Sequence, residues 1–253
     1  MSVYDEKFYA DRQRGSLNSA QRVVELLQKY LTPRSVIDVG CGTGAWLSVW
    51  QRHGVTEIRG VDGDYVDRRS LLIPQERFVA YDLTVPYSEP TQYDLAMSLE
   101  VAEHLPPAVG PAFVETLTKL SPIVLFSAAI PYQIGTQHIN MRWQSYWAEL
   151  FGERGYVPID CLRRALWDDP QVETWYAQNA LLYVREDVLA HHPRLAEERA
   201  SGRGMPLNVV HPSLSTMLAE NGDVECMRVR RAVQLVHETI QSRIRRRLPR
   251  YRR

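Results

Sequence analysis

Between residues 38 and 44 the chain reads Asp38-Val-Gly-Cys-Gly-Thr-Gly44, a turn with glycines at alternate positions after a short β-branched run. Without Cβ atoms such a turn bends tightly and lets a flat, adenosine-bearing ligand approach the backbone. Two details separate it from a dinucleotide turn. The spacing is Gly-x-Gly-x-Gly rather than Gly-x-Gly-x-x-Gly, and an acid, Asp38, stands at the strand end before it. A carboxylate there suits an ammonium group better than a pyrophosphate. Asp62 closes the next strand-like run, 22 residues after Gly40, an offset at which an acid accepts hydrogen bonds from ribose hydroxyls. Asp82, after a third such run, is placed to meet an adenine amino group.

Proton transfer points to two histidines. His104 follows the fourth apolar run, and His138 lies in Gly135-Thr-Gln-His-Ile-Asn140 after the fifth. Imidazole titrates near neutral pH and serves as a general base toward a hydroxyl acceptor. Each also has a plain structural use, His104 as a helix cap and His138 as a loop residue, so the choice between them stays open. Four of the six tryptophans fall within 33 residues, and Trp143, Tyr146, Trp147 and Trp167 could wall an acceptor pocket or simply fill a core. Asn140, Gln178 and Asn179 add amides suited to a hydroxyl-rich ligand. Arg163 and Arg164 would suit an acidic one.

The elements that must position these residues follow from periodicity. Apolar residues at helical spacing predict a helix over 19–31, stopped by Pro33. Strands are expected at Ser35–Gly40, Glu57–Val61, Arg77–Ala80, Tyr93–Ser98 and Ile123–Ser127. Helices are expected after the glycine turn to about His53, over 64–72, and around Phe113, Leu117 and Leu120. A polar loop over 132–142, a helix over 143–154 and strands at 155–160 and 179–184 complete the pattern. Strands alternating with helices imply an α/β fold with a doubly wound, mostly parallel sheet.

Val36-Ile-Asp-Val-Gly-Cys-Gly-Thr-Gly44, Gly60-Val-Asp62, Tyr81-Asp-Leu83 and Ser98-Leu-Glu-Val-Ala-Glu-His-Leu105 together resemble the motifs of class I S-adenosylmethionine-dependent methyltransferases. The resemblance spans about residues 17–185. It implies a Rossmann-like sheet of seven strands, the last antiparallel. It also implies that Asp38, Gly40, Cys41, Gly42, Thr43, Gly44, Trp46, Asp62, Gly63, Asp82, Leu83 and Glu100 hold S-adenosylmethionine, and that Tyr4, Phe8, Tyr9 and Arg12 form a lid, Tyr9 facing the acceptor. The loop carrying His138 resembles a bacterial subgroup that usually reads glycine, threonine, glycine, histidine, asparagine and an acid before a Trp-x-x-Tyr-Trp helix. Gln137 and Met141 depart from it, and Met141 removes a carboxylate that would orient His138 or hold a metal.

The domain reading is residues 1–30 as lid and first helix, 31–185 as the methyltransferase domain, and 186–253 as a helical extension. The chain of 253 residues carries no net charge, but seven arginines and no acid stand between Arg243 and Arg253. That run reads as a solvated tail. Mean hydropathy is −0.31, and no apolar run is long enough to span a membrane. The polar first residues lack a signal-peptide layout, and three scattered cysteines suggest no disulfide framework, so a cytoplasmic protein is expected. No metal is expected. No Asx-Pro-Pro-aromatic turn follows the fourth strand, which argues against a flipped-base substrate. The leading expectation is O-methylation of a small molecule such as a sugar, glycan precursor or secondary metabolite. N- or C-methylation by positioning alone, and a non-catalytic partner protein assembling through its C-terminal helices, are the alternatives.

Overall fold

The central strands are apolar on both faces, and their alternate residues enter two different cores. In β4 (Leu95–Leu99) and β5 (Ile123–Ser127), Leu95, Met97, Ile123 and Leu125 face one core while Ala96, Val124 and Phe126 face the other. Strands covered by helices on both sides read as continuous apolar runs for this reason. The computed structural model describes residues 6–133 and 135–215, with side chains from residue 14 onward. Within them, β1 (Ser35–Val39), β2 (Glu57–Asp62), β3 (Phe78–Ala80), β4, β5, β6 (Tyr156–Ile159) and β7 (Leu181–Arg185) form a seven-stranded sheet in the order β3-β2-β1-β4-β5-β7-β6. All pairs are parallel except those made by β7, which runs antiparallel to both β5 and β6.

The first core lies under α1 (Glu6–Leu27), α2 (Ala45–Arg52), α5 (Arg163–Leu166), α6 (Thr174–Asn179) and α7 (Pro193–Ser201). It contains Val23, Leu27, Trp46, Trp50, Leu166, Tyr176 and Leu195. The second lies under α3 (Gly110–Leu120) and α4 (Gln144–Gly152), with Phe113, Leu117, Trp147 and Phe151. Burying one such side chain completely contributes about 1.5–3 kcal/mol. Helix α7 is joined to the end of α1 by the Tyr30 hydroxyl donating to Glu198 at 2.9 Å and by Arg194 donating to the Lys29 carbonyl at 2.7 Å. The first compact unit ends at His211, and a second begins at Pro212. Of the expected helical extension over 186–253, Leu189 and Leu195 join the first core, and 216–253, with the arginine-rich end, lie outside the described residues.

Three expectations need correction. The helix read over 19–31 begins at Glu6 and ends at Leu27. The helix read over 64–72 does not form. Asp67 accepts from the Arg69 amide and holds only a single 3-10 turn, Arg68–Ser70, in a stretch with no buried face to hold a longer helix. Asn179 is the last residue of α6 rather than the first of a strand, and α5 and α6, both short, were not legible as helices.

Candidate active site

Strand order reverses between β1 and β4, and a cleft of about 1100 Å³ opens at their carboxyl ends, where an open α/β sheet binds its ligands. Its floor is the glycine turn. Gly40, Gly42 and Gly44 have φ of 88°, 54° and 79°, the left-handed region that only glycine enters cheaply. A Cβ on Gly40 would stand 2.3 Å from Cγ2 of Val101, whereas one on Gly42 would meet nothing within 4 Å. The amides of Gly40 and Cys41 donate to the Val61 carbonyl at 2.7 and 3.2 Å, which pins the turn to β2.

Asp62 is buried at the end of β2. Its carboxylate accepts from the Gly42 amide at 2.6 Å, from the Gly63 amide at 2.7 Å and from the Tyr65 hydroxyl. Tyr65 was not foreseen. Its ring lies over Gly63, where a Cβ would be 2.1 Å away, and it occupies a position on Asp62 where a ribose hydroxyl was expected. Asp38 is 2% exposed, and burial, reinforced by the neighbouring Asp62 charge, pushes its carboxyl up to about 8. Asp82, Leu83 and Gly63 line the cleft, with the Asp82 carboxylate accepting from the Thr84 amide and hydroxyl at 2.9 and 2.7 Å. That pairing holds the Asp82 carboxyl below its ordinary value.

Other expected cofactor residues serve the scaffold. Trp46 is 5% exposed and packs edge-on to Tyr176 with ring centroids 5.0 Å apart. The Thr43 carbonyl accepts from the Leu72 amide at 2.8 Å. Cys41 is buried against Gly60, and burial raises its thiol far above the ordinary range, which suits a filler and not a nucleophile.

Glu100 also lines the cleft, with φ of 55°. Its carboxylate accepts from the Asn179 amide at 3.1 Å and the Gln133 amide at 2.9 Å. Asn179 in turn accepts from Gln178 at 2.8 Å, and the Gln178 carbonyl oxygen accepts from the His211 amide at 2.7 Å. Gln178 and Asn179 were expected to face an acceptor; the structure instead places them in a buried network behind Glu100. Gln133, its hub, was missed.

His104 lines the cleft, and its ring stands edge-on to that of His138 with centroids 4.9 Å apart. The sequence put these two 34 residues apart; the fold makes them a pair. His138 Nδ1 lies 2.9 Å from the Gln133 carbonyl, so that nitrogen carries a proton. The ring also packs against Gly135, where a Cβ would be 2.0 Å from Nε2. Beside the pair, Glu103 is fully buried, and burial together with the Glu100 charge raises its carboxyl well above the ordinary range. Asn140 donates to the Ala102 carbonyl at 3.2 Å and accepts from Arg142 at 3.1 Å, so its amide fastens the loop and does not enter the cleft.

Of the expected aromatic wall, Trp147 is 1% exposed and packs on Phe126 and Tyr146. Tyr146 lies under Arg142, and Trp167 packs on His211. Only Trp143, 39% exposed at the start of α4, presents a broad free surface. The lid residue Tyr4 and the side chains of Phe8, Tyr9 and Arg12 lie outside the described set.

Residues 10–168, more than half of the chain, match the family model described as a methyltransferase domain, and the chain belongs to that family. Among solved structures, Streptomyces venezuelae DesVI aligns with a TM-score of 0.54 at 12% identity, over 71% of this chain and 95% of that one. An O-methyltransferase family protein from Burkholderia thailandensis gives 0.52 at 13% identity, over 72% of this chain and 60% of that one. A candidate O-methyltransferase from Nostoc punctiforme gives 0.49 at 16% identity, over 66% of this chain and 56% of that one. The chain thus spans little more than half the length of the latter two. At these identities the likeness is one of fold. No curated protein matches the chain. Among the described residues no helix is long and apolar enough to cross a membrane.

Proposed function

We propose that the chain methylates a hydroxyl oxygen of a small molecule, a sugar, glycan precursor or secondary metabolite, with the hydroxyl proton removed at the His104–His138 pair. The observation that carries this reading is the pair itself, two imidazoles in edge contact beside the cofactor cleft with the His138 tautomer set by the Gln133 carbonyl. S-adenosylmethionine, when bound, supplies an electrophilic methyl whose bond to sulfur breaks with the electron pair staying on sulfur.

The residues present fit that donor. Asp38, buried with a raised carboxyl, calls for a cationic neighbour, and the ammonium group is one. Gly42 leaves open space above the turn for the amino-acid portion. Asp62 would take the ribose and Asp82 with Leu83 the adenine, while Glu100 stands between cofactor and acceptor. Trp143 and Tyr146 would flank the acceptor at the loop side. Positioning and exclusion of water supply most of the rate enhancement in such a displacement, and the histidine pair adds general-base help of about 10²–10⁴-fold.

The test is a panel of hydroxylated and aminated acceptors with S-adenosylhomocysteine release as the signal, run on wild type and His138→Ala. Methyl ethers as products, with loss of at least tenfold in kcat in the variant, are expected. Methylated amines or carbons formed at an undiminished rate by His138→Ala would favour positioning alone and remove the histidine's role.

A further inference from the structure

We propose that Glu103, His104 and His138 form a binding site for one divalent first-row transition cation of the manganese, iron or zinc kind. It deepens the O-methylation reading and rests on it only for the role given to the ion.

The donor atoms of the three side chains, one from each, all lie within 4.8 Å of one another. Ligand atoms about 2.1 Å from a shared tetrahedral ion stand about 3.4 Å apart, so rotamer adjustments of about an ångström close the set. A second observation is independent of that spacing. Glu103 is fully buried, and neither carboxylate oxygen has a hydrogen-bond partner among the described residues. A buried carboxyl is paired, hydrogen-bonded, protonated or on a metal, and a cation here would take the place of the proton. The side chain nearest to it is the Glu100 carboxyl, itself held by the Asn179 and Gln133 amides, and a second carboxyl beside the first adds to the need for a cation.

The backbone around the cluster is fastened for it. The Ile139 and Asn140 amides donate to the Glu103 carbonyl at 2.9 and 3.0 Å, which locks the His138 loop onto the turn carrying Glu103 and His104. The Gln133 carbonyl on His138 Nδ1 is the outer contact that orients a ligating imidazole and leaves Nε2 to the ion. Two imidazoles with one carboxylate select borderline transition cations over calcium or magnesium. Three protein ligands leave positions open for the acceptor oxygen. A hydroxyl bound there loses its proton to solvent at neutral pH, and its oxygen lone pair then forms the new bond to the methyl carbon while sulfur keeps the pair of the broken one. The ion is not oxidised or reduced. In this arrangement the histidines act as ligands and reach the proton through the cation. No metal was expected from the sequence, where Glu103 reads as one more polar residue of a turn.

The test uses the full chain stripped with a chelator and titrated with Mn²⁺, followed by loss of the free-ion EPR signal. One site per chain is expected, displaced by Zn²⁺ and weakened at least tenfold by Glu103→Gln, His104→Ala or His138→Ala. Pulsed EPR on the wild type, which involves no variant and so no question of folding, should show nitrogen couplings from imidazole. No Mn²⁺ or Zn²⁺ bound, binding that all three variants leave unchanged, or bound Mn²⁺ without nitrogen couplings would overturn the site. Hydroxyl methylation at full rate by metal-free protein overturns it too, while leaving O-methylation standing. Tight metal binding in a chain that methylates only nitrogen or carbon supports the site and removes the O-methylation reading instead.

Discussion

The side-chain amide of Asn179, at the end of α6, donates to the carboxylate of Glu100 at 3.1 Å across 79 residues of sequence. Burial pushes the Glu100 carboxyl up, and donors from Asn179, Ser127 and Gln133 pull it back. Asn179→Leu should therefore cost about 1.5–3 kcal/mol, as for losing a hydrogen bond to a charged group, read as a lower urea midpoint at unchanged slope. The Glu100 carboxyl would also rise further, so the loss should be smaller at pH 5 than at pH 8. An unchanged midpoint at pH 8 would mean that water replaces the amide and the network is not structural.

The glycine turn offers a paired test of strain against access. Gly40→Ala meets Val101 at 2.3 Å and a φ of 88°; the left-handed backbone costs about 1–2 kcal/mol and overpacking adds about 1–3 kcal/mol. Gly42→Ala, at φ 54° with nothing within 4 Å, should lose only the first of these. Its methyl group projects into the cleft, however, and should weaken S-adenosylhomocysteine binding more than tenfold. Calorimetric titration beside urea melts separates the two. Equal stability losses in both variants would show that Val101 yields freely.

How far the site was legible depended on whether its residues sit at strand ends. Asp38, Asp62 and the glycines between them follow from the β-branched runs before them, and β1 and β2 stand where the pattern puts them. The family resemblance implied an antiparallel last strand, but neither it nor periodicity supplied the order in which β7 inserts between β5 and β6. Contacts made across the sheet were not legible. Glu103 and His104 meet His138, and Asn179 meets Glu100, through loops whose side chains carry no period. Aromatic crowding misled for a related reason: Trp147 and Trp167 have the chemistry of a stacking wall, but α4 and the turn after α5 direct them into packing. The failed helix at 64–72 shows local chemistry prevailing, since Asp67 satisfies the Arg69 amide before a helix can.

An ammonium group placed on Asp38, as proposed, would make cofactor binding a proton-linked event. Its carboxyl, pushed from 3.8 up to about 8, is about nine-tenths protonated at pH 7 in the free chain. A raised folded value means stability that is present below about pH 4 and is lost as pH rises through about 8. An ammonium group arriving beside it favours the charged form, so binding at pH 7 should release close to one proton. Titrations of S-adenosylhomocysteine in buffers of different ionisation enthalpy count that proton directly. Asp38→Asn should release none and should flatten the fall in stability between pH 4 and 8. A wild-type chain that binds without releasing protons would place the ammonium group elsewhere.

With the ribose on Asp62, as proposed, Tyr65 would compete with the ligand for that carboxylate. Its hydroxyl donates to the carboxylate that also holds the Gly42 and Gly63 amides, and a carboxylate offers about four acceptor sites in all. Two ribose hydroxyls and three existing donors exceed that number, so the phenol must leave when the nucleoside enters. Tyr65 is 81% exposed, so the ring can swing away without opening the core. Removing the hydroxyl alone, in Tyr65→Phe, should tighten S-adenosylhomocysteine binding by about fivefold, near the 1 kcal/mol of a typical hydrogen bond. Tyr65→Ala should bind no more tightly than Tyr65→Phe, because the competition resides in the hydroxyl. Weaker binding by Tyr65→Phe would mean instead that the phenol holds the bound nucleoside, reached by rotation from its place on Asp62.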